Sequence, residues 1–170
     1  MDGAIEGLRT VLKFGGSCLK SRADISAIAE RIRMFDPSPV VVVSAFFGVT
    51  DRLLDAINDL RNHSFDRTSF LTWIRDHHYT LAPEILTSDS LPRFEEAIAN
   101  LDIALESLAN DEGEEVSVLV SGERLSSVCL EAALSSRGIK VRAMWAEDVP
   151  IRVKGRAPFI RMDLSRTSES

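Results

Sequence analysis

Apolar positions along this chain fall into two patterns: short unbroken runs, and longer stretches in which they return every three or four residues. The first short run, 10–14, reads as a strand, and the second is Val40-Val41-Val42-Val43. Four consecutive valines without polar alternation predict a strand covered on both faces, as in a parallel sheet. Between them Ile25, Ile28, Ala29 and Ile32 share one helical face, so 24–35 is predicted as a helix. Ser21-x-x-Asp24 supplies its start signal. Asp36-Pro37-Ser38-Pro39 stops it, because a proline pushes the residue before it out of the helical region. Strand, helix and strand together predict a βαβ unit.

Helical patterns continue over 50–61, 66–81 and 92–109. In the last, Phe94, Ile98, Leu101, Leu105 and Leu108 form a core-facing stripe, and Pro92 suits a first helical turn. The acidic stretch 111–115 reads as a solvated loop leading to a third buried strand at 116–120. A helix over 123–136 ending at Gly138 and a short strand over 140–145 complete the pattern. The fold class is α/β with a mainly parallel sheet. The expected organisation is an extension at 1–9, a domain at 10–164 with a helical insertion at about 52–112, and a polar tail at 165–170.

Composition narrows the function classes. The chain has 170 residues, 45% hydrophobic and 27% charged, with a formal net charge of −6. This is a globular composition, and the lack of a dense basic cluster argues against nucleic-acid or anionic-membrane partners. The most apolar stretch, 40–49, is far shorter than the ~18 residues of a membrane span. The acidic N-terminus carries no secretory pattern, and Cys18 and Cys129 have neither C-x-x-C nor histidine at ligand spacing. A reduced cytoplasmic protein is expected, with both thiols as packing groups and no metal site. His63, His77 and His78 lie in the helical insertion, with surface or packing roles expected.

The candidate chemistry lies at the strand ends. Lys13-Phe14-Gly15-Gly16-Ser17 puts a cation beside two glycines, whose backbone N–H groups can turn toward an anion without a Cβ in the way. Two more small or polar turns are expected, Ser44-Ala45-Phe46-Phe47-Gly48-Val49-Thr50-Asp51 and Ser121-Gly122-Glu123. Thr50 suits a helix N-cap, and Glu123 is expected in a first helical turn. The carboxyl ends of parallel strands line a common crevice, so the three turns are expected to converge. Neither G-x-G-x-x-G after the first strand nor G-x-x-x-x-G-K-[ST] is present, which disfavours a Rossmann dehydrogenase or a Walker-type NTPase.

Taken in order, Val-Leu-Lys-Phe-Gly-Gly-Ser, Val-Val-Ser-Ala-Phe-Phe-Gly-Val-Thr-Asp-Arg-Leu-Leu and Val-Ser-Gly-Glu-Arg-Leu-Ser-Ser resemble the N-terminal half of an aspartokinase catalytic domain. The resemblance runs from Thr10 to about Asp163. It implies the amino acid kinase fold, a three-layer α/β/α arrangement, and transfer of the γ-phosphoryl of MgATP to the β-carboxylate of L-aspartate in aspartate-family (lysine) biosynthesis. Lys13 then corresponds to the lysine that neutralises the transferring phosphoryl group, with Gly15, Gly16 and Ser17 as donors around the phosphates. Ser44 and Gly48 match a second phosphate-side turn. Thr50 and Glu123 match positions that bind the amino acid, Glu123 by pairing with its ammonium group.

Cys18 departs from the family, which usually has serine there. The Arg-Gly-Gly-Ser-Asp-like and Thr-Asp-Val-like motifs of the family's second half, and its regulatory ACT domains, have no counterpart in the 170 residues. The expectation is a partial kinase domain, a truncated or split enzyme with very weak or absent unaided activity, whose sheet has one exposed flank. A homo-oligomer or a complementing kinase half would then be its protein partner. A non-catalytic amino-acid-binding or regulatory remnant is the alternative. Acetylglutamate, carbamate and uridylate kinases of the same fold are secondary substrate assignments.

Overall fold

The computed structural model describes residues 10–110, 113–149 and two short strands within 153–162. The elements are β1 (Val11–Phe14), α1 (Arg22–Arg33), β2 (Val40–Val43), α2 (Val49–Arg61), α3 (Arg67–Leu81), α4 (Leu91–Ala109), α5 (Glu115–Ser135), β3 (Val153–Lys154) and β4 (Arg161–Met162). The architecture is mixed α/β and mostly helical. β1 and β2 pair in parallel, Val11 opposite Val40 and Phe14 opposite Val43, while β3 and β4 form a separate antiparallel pair. The predicted βαβ unit is therefore present. The expected tail and N-terminal extension lie outside the described residues.

Local chemistry explains where α1 begins. Ser21 caps it by accepting from the Asp24 backbone N–H, and the Asp24 carboxylate accepts in turn from the Lys20 N–H at 3.1 Å. The first bond satisfies one of the donors that a helix start leaves without partners, and the second ties down the residue before the cap. The Ser21 hydroxyl also donates to Asp24 Oδ2 at 2.9 Å, and this bond is the chief cause that holds the Asp24 carboxyl below its usual pKa. Ile25, Ile28, Ala29 and Ile32 are buried, as their spacing predicts. In α4 the stripe Phe94, Ile98, Leu101 and Leu105 is buried and Leu108 half-buried, with Pro92 in the first turn.

Several expectations need correction. The 116–120 run is the start of α5, not a strand. Val118, Gly122, Leu125 and Cys129 are buried at helical spacing, and packing of that stripe against α4, α2 and α1 outweighs the strand preference of valine. The segment 140–145 forms no strand. The valines of β2 are not covered on both faces. Leu12, Phe14, Val41 and Val43 pack on the core, whereas Val11, Val40 and Val42 are 61%, 46% and 45% exposed. Helices thus cover one face, and the three-layer arrangement is absent among the described residues. The exposed face also carries Lys13. Of the two cysteines, Cys129 is buried, its thiol pKa raised by burial, but Cys18 is exposed and is no packing group.

α5 is the central helix, and at Gly122 it lies against Ala45, just past the end of β2. A Cβ at Gly122 would lie 3.0 Å from the Ala45 Cβ, 3.2 Å from Leu53 Cδ1 and 3.3 Å from Val49 Cγ1. The Ala45 methyl is fixed to its backbone and cannot swing aside. Gly122→Ala should lower stability by about 1 kcal/mol, because overpacking of ~1–3 kcal/mol exceeds the ~1 kcal/mol alanine gains in helix propensity. Gly122→Leu should cost more, and urea denaturation showing it as stable as the parent would contradict this packing.

A second prediction concerns His78, which is fully buried. Its Nδ1–H donates to the Ile74 carbonyl at 2.7 Å, and Nε2 has no partner. Burial lowers its pKa from 6.5 to about 4, so between those values the unfolded chain binds a proton that the folded chain refuses. Stability from this residue is complete above about pH 6.5 and falls as the pH drops toward 4, by an amount on the order of 3 kcal/mol. Urea denaturation at pH 7 and pH 4.5 should show a smaller acid-induced loss in His78→Leu than in the parent. Equal losses would contradict it.

Candidate functional site

The three motifs meet around Ala45. A Cβ on Gly16, from the first motif, would lie 3.2 Å from the Ala45 carbonyl oxygen, and Gly122, from the third, packs against the Ala45 methyl. Hydrogen bonds fix the same meeting point. The Ser44 N–H continues the ladder by donating to the Phe14 carbonyl at 3.1 Å, and the Phe47 N–H donates to the Leu19 carbonyl at 3.1 Å. The Phe46 N–H donates to Ser126 Oγ at 2.8 Å inside the core. Segments separated by up to 80 residues in sequence are thereby joined at one corner of the molecule.

Lys13 lies at this corner on the exposed face of β1, opposite Val42. A Cβ at Gly15 would be 3.6 Å from Lys13 Nζ, so the ammonium sits over the glycine turn. Gly15 precedes a 3-10 turn over Gly16–Cys18, which is held by the Cys18 N–H on the Gly15 carbonyl at 2.8 Å and the Leu19 N–H on the Gly16 carbonyl at 3.0 Å. Ser17 is exposed, its hydroxyl 4.0 Å from Cys18 Sγ. A cation, a turn with a tight approach at Gly16 and an exposed hydroxyl thus occur within five residues.

Gly48 has φ +83° and ψ −14°, a left-handed conformation that side-chain-bearing residues rarely adopt. It lets the chain turn from the buried Phe46 into α2, and Gly48, rather than Thr50, is the N-cap. Thr50 is exposed as the second residue of α2, and Ser44 is half-buried where β2 ends. Glu123 is half-buried in the middle of α5, not in a first helical turn. The Ser121-Gly122-Glu123 segment is therefore helix rather than turn, yet it reaches the corner through Gly122. The meeting of the three motifs survives although one of its three predicted turns does not exist.

Residues not singled out in the sequence as site candidates complete the corner. Ser126 is fully buried and anchors the Phe46 amide. It lies four residues after Gly122, on the same face of α5, so its spacing would have identified it once 116–120 was read as helix. From α3, the His78 ring stacks on Phe46 with centroids 5.2 Å apart, and His77 Nε2 lies 3.1 Å from the Phe47 carbonyl oxygen. Desolvation lowers the His77 pKa. No periodicity in the sequence points to this pair. Among the described residues no group of three or more His, Cys, Asp or Glu is arranged to hold a metal ion, and no helix is long and apolar enough to cross a membrane.

Comparison with known proteins agrees with the ordered motifs. Bifunctional aspartokinase/homoserine dehydrogenase 2 of Arabidopsis thaliana is 31% identical over 152 residues, covering 84% of this chain and 16% of that protein. The corresponding Zea mays enzyme 1 is 34% identical over 87 residues, covering 50% of this chain and 9% of that protein. The chain thus spans about a sixth or less of the length of these relatives. The fold matches Escherichia coli aspartokinase III in complex with aspartate and ADP, with a TM-score of 0.77 at 19% identity, over 95% of this chain and 36% of that one. The description "Amino acid kinase family" matches residues 8–167, nearly the whole sequence, and the chain belongs to that family.

Proposed function

We propose that this chain carries the phosphate-side corner and part of the amino-acid site of an aspartate kinase. The observation that carries the proposal is the position of the Lys13 ammonium over the Gly15-Gly16 turn, where three distant motifs meet at Ala45. The relative solved with aspartate and ADP supports the choice of ligands.

The chemistry suits these residues. A β-carboxylate is ionised at neutral pH, its usual pKa being about 4, so it can attack the γ-phosphorus without giving up a proton. One carboxylate oxygen forms a bond to phosphorus, the bond to the bridging oxygen breaks, and ADP leaves. No general base is required. What the reaction needs is neutralisation of charge as two anions approach, together with positioning of the reactants. In this reading Lys13 meets the phosphoryl oxygens, backbone N–H groups at Gly15, Gly16 and Gly48 with the hydroxyls of Ser17 and Ser44 surround the phosphates, and Thr50 and Glu123 hold aspartate, Glu123 through its ammonium group. Magnesium, bound with ATP as substrate, would spread the phosphate charge further.

The second-half motifs named above have no counterpart among these 170 residues, so turnover by this chain alone is expected to be very weak. The open face bearing Val11, Val40 and Val42 is where the rest of a kinase domain, in the same or another polypeptide, would pack.

Titration calorimetry tests the reading. The chain should bind L-aspartate and, more weakly, MgATP. Lys13→Ala should weaken MgATP binding roughly tenfold or more while leaving aspartate binding unchanged, as expected for loss of one charge-assisted contact. Aspartate binding without any MgATP binding would favour the non-catalytic amino-acid-binding remnant. In an aspartate hydroxamate assay, robust turnover abolished by Lys13→Ala would contradict the expected weakness of the isolated chain.

A further inference from the structure

Two adjacent histidines of α3, outside all three motifs, address two adjacent residues of the Ser44–Gly48 turn. We infer that His77 is a positioning residue for that turn: its ring bonds the Phe47 carbonyl and thereby sets the backbone that enters Gly48 and α2. A carbonyl oxygen can only accept, so the contact of 3.1 Å requires the proton on His77 Nε2. His78 must carry its proton on the other nitrogen, Nδ1, because that atom faces the Ile74 carbonyl at 2.7 Å. The neighbouring imidazoles therefore have opposite neutral tautomers, one holding the turn through a hydrogen bond and the other through its ring face on Phe46.

The surroundings fix the His77 ring before it reaches the turn. It stacks on Trp73, with centroids 4.7 Å apart and planes 12° from parallel, and Trp73 in turn lies 5.8 Å from the Arg52 guanidinium on α2. On the other side of the turn the Lys20 ammonium sits 4.8 Å from the centre of the Phe47 ring. Phe47 is thus held at its carbonyl by α3, at its N–H by Leu19 and at its ring by Lys20. These contacts come from the helical insertion and from the loop after the first motif. They give the insertion a part in holding the phosphate-side corner as well as in building the core. Charged groups at these contacts are Lys20, against the Phe47 ring, and Arg52, against the Trp73 ring. Protonating His77 leaves its Nε2–H in place, so the His77 contact persists on acidification.

The consequence for ligand binding rests on the reading of this corner as a phosphate site; the consequence for the turn does not. His77→Phe retains an aromatic ring to stack on Trp73 and removes the donor, whereas His77→Gln places an amide N–H at about the same reach and removes the stack. Amide hydrogen exchange of Phe47 and Val49, measured on the full chain without ligand, should become about fivefold faster in His77→Phe, as for loss of one hydrogen bond of ~1 kcal/mol. It should return toward the parent rate in His77→Gln. Leu101, remote in α4, should be unaffected in both and serves as the control for folding. MgATP affinity should follow the same order, falling several-fold in His77→Phe and recovering in His77→Gln. Unchanged exchange at Phe47 and Val49 in His77→Phe, or failure of His77→Gln to restore it, would overturn the inference. Altered exchange with unchanged MgATP affinity would overturn its link to the site. If the parent binds no MgATP, the function proposed above fails, and the exchange rates alone decide whether His77 positions the turn.

Discussion

The approach of two backbones, at Gly16 and Gly122, to Ala45 is the constraint on which the rest of the structure depends. Gly16 and Gly122 have no room for a side chain there, since their Cβ atoms would lie 3.2 Å from the Ala45 oxygen and 3.0 Å from its methyl. Ala45 is itself fixed between Ser44, tied to β1, and Phe46, tied to Ser126 of α5. Close packing of this kind tolerates little change, because a buried side chain added without space forces its neighbours off their preferred geometries. The same contact gathers the glycine turn and the centre of α5, so packing and candidate chemistry share one cause.

A mostly helical core then supports a small sheet. α5 packs against α4, α2, α1 and α3, and the buried faces of β1 and β2 rest on the same cluster. The other face of the sheet carries three exposed valines and Lys13. An apolar parallel sheet with one open face is unusual, as such sheets are normally covered on both sides. The ammonium group proposed to meet phosphate therefore lies on the side where helices are absent among the described residues.

Much of this was legible in the sequence where local chemistry decides the outcome. The Ser21–Asp24 capping pair, the α1 and α4 stripes and the proline stop after α1 act over a few residues, and the structure has all of them. What was not legible depends on distant partners. The 116–120 run has the composition of a strand, and only the stripe it shares with Leu125 and Cys129 against α4 and α2 makes it helix. That one change moved Glu123 from a helix start to a helix middle and hid Ser126. The four valines of β2 mark a strand correctly, but composition cannot say that one of its faces lacks a covering layer. The His77 contact to Phe47 joins residues 30 apart, and no spacing rule reports it.

The corner around Ala45 is proposed as a phosphate site that draws on motifs distant in sequence. Following backbone amide resonances of the chain during titration with MgATP tests this. Gly15, Gly16 and Gly48 should shift together with a single dissociation constant, and these shifts should be lost in Lys13→Ala while the core amides of α4 stay in place. Shifts confined to other regions, or the same shifts in Lys13→Ala as in the parent, would contradict it.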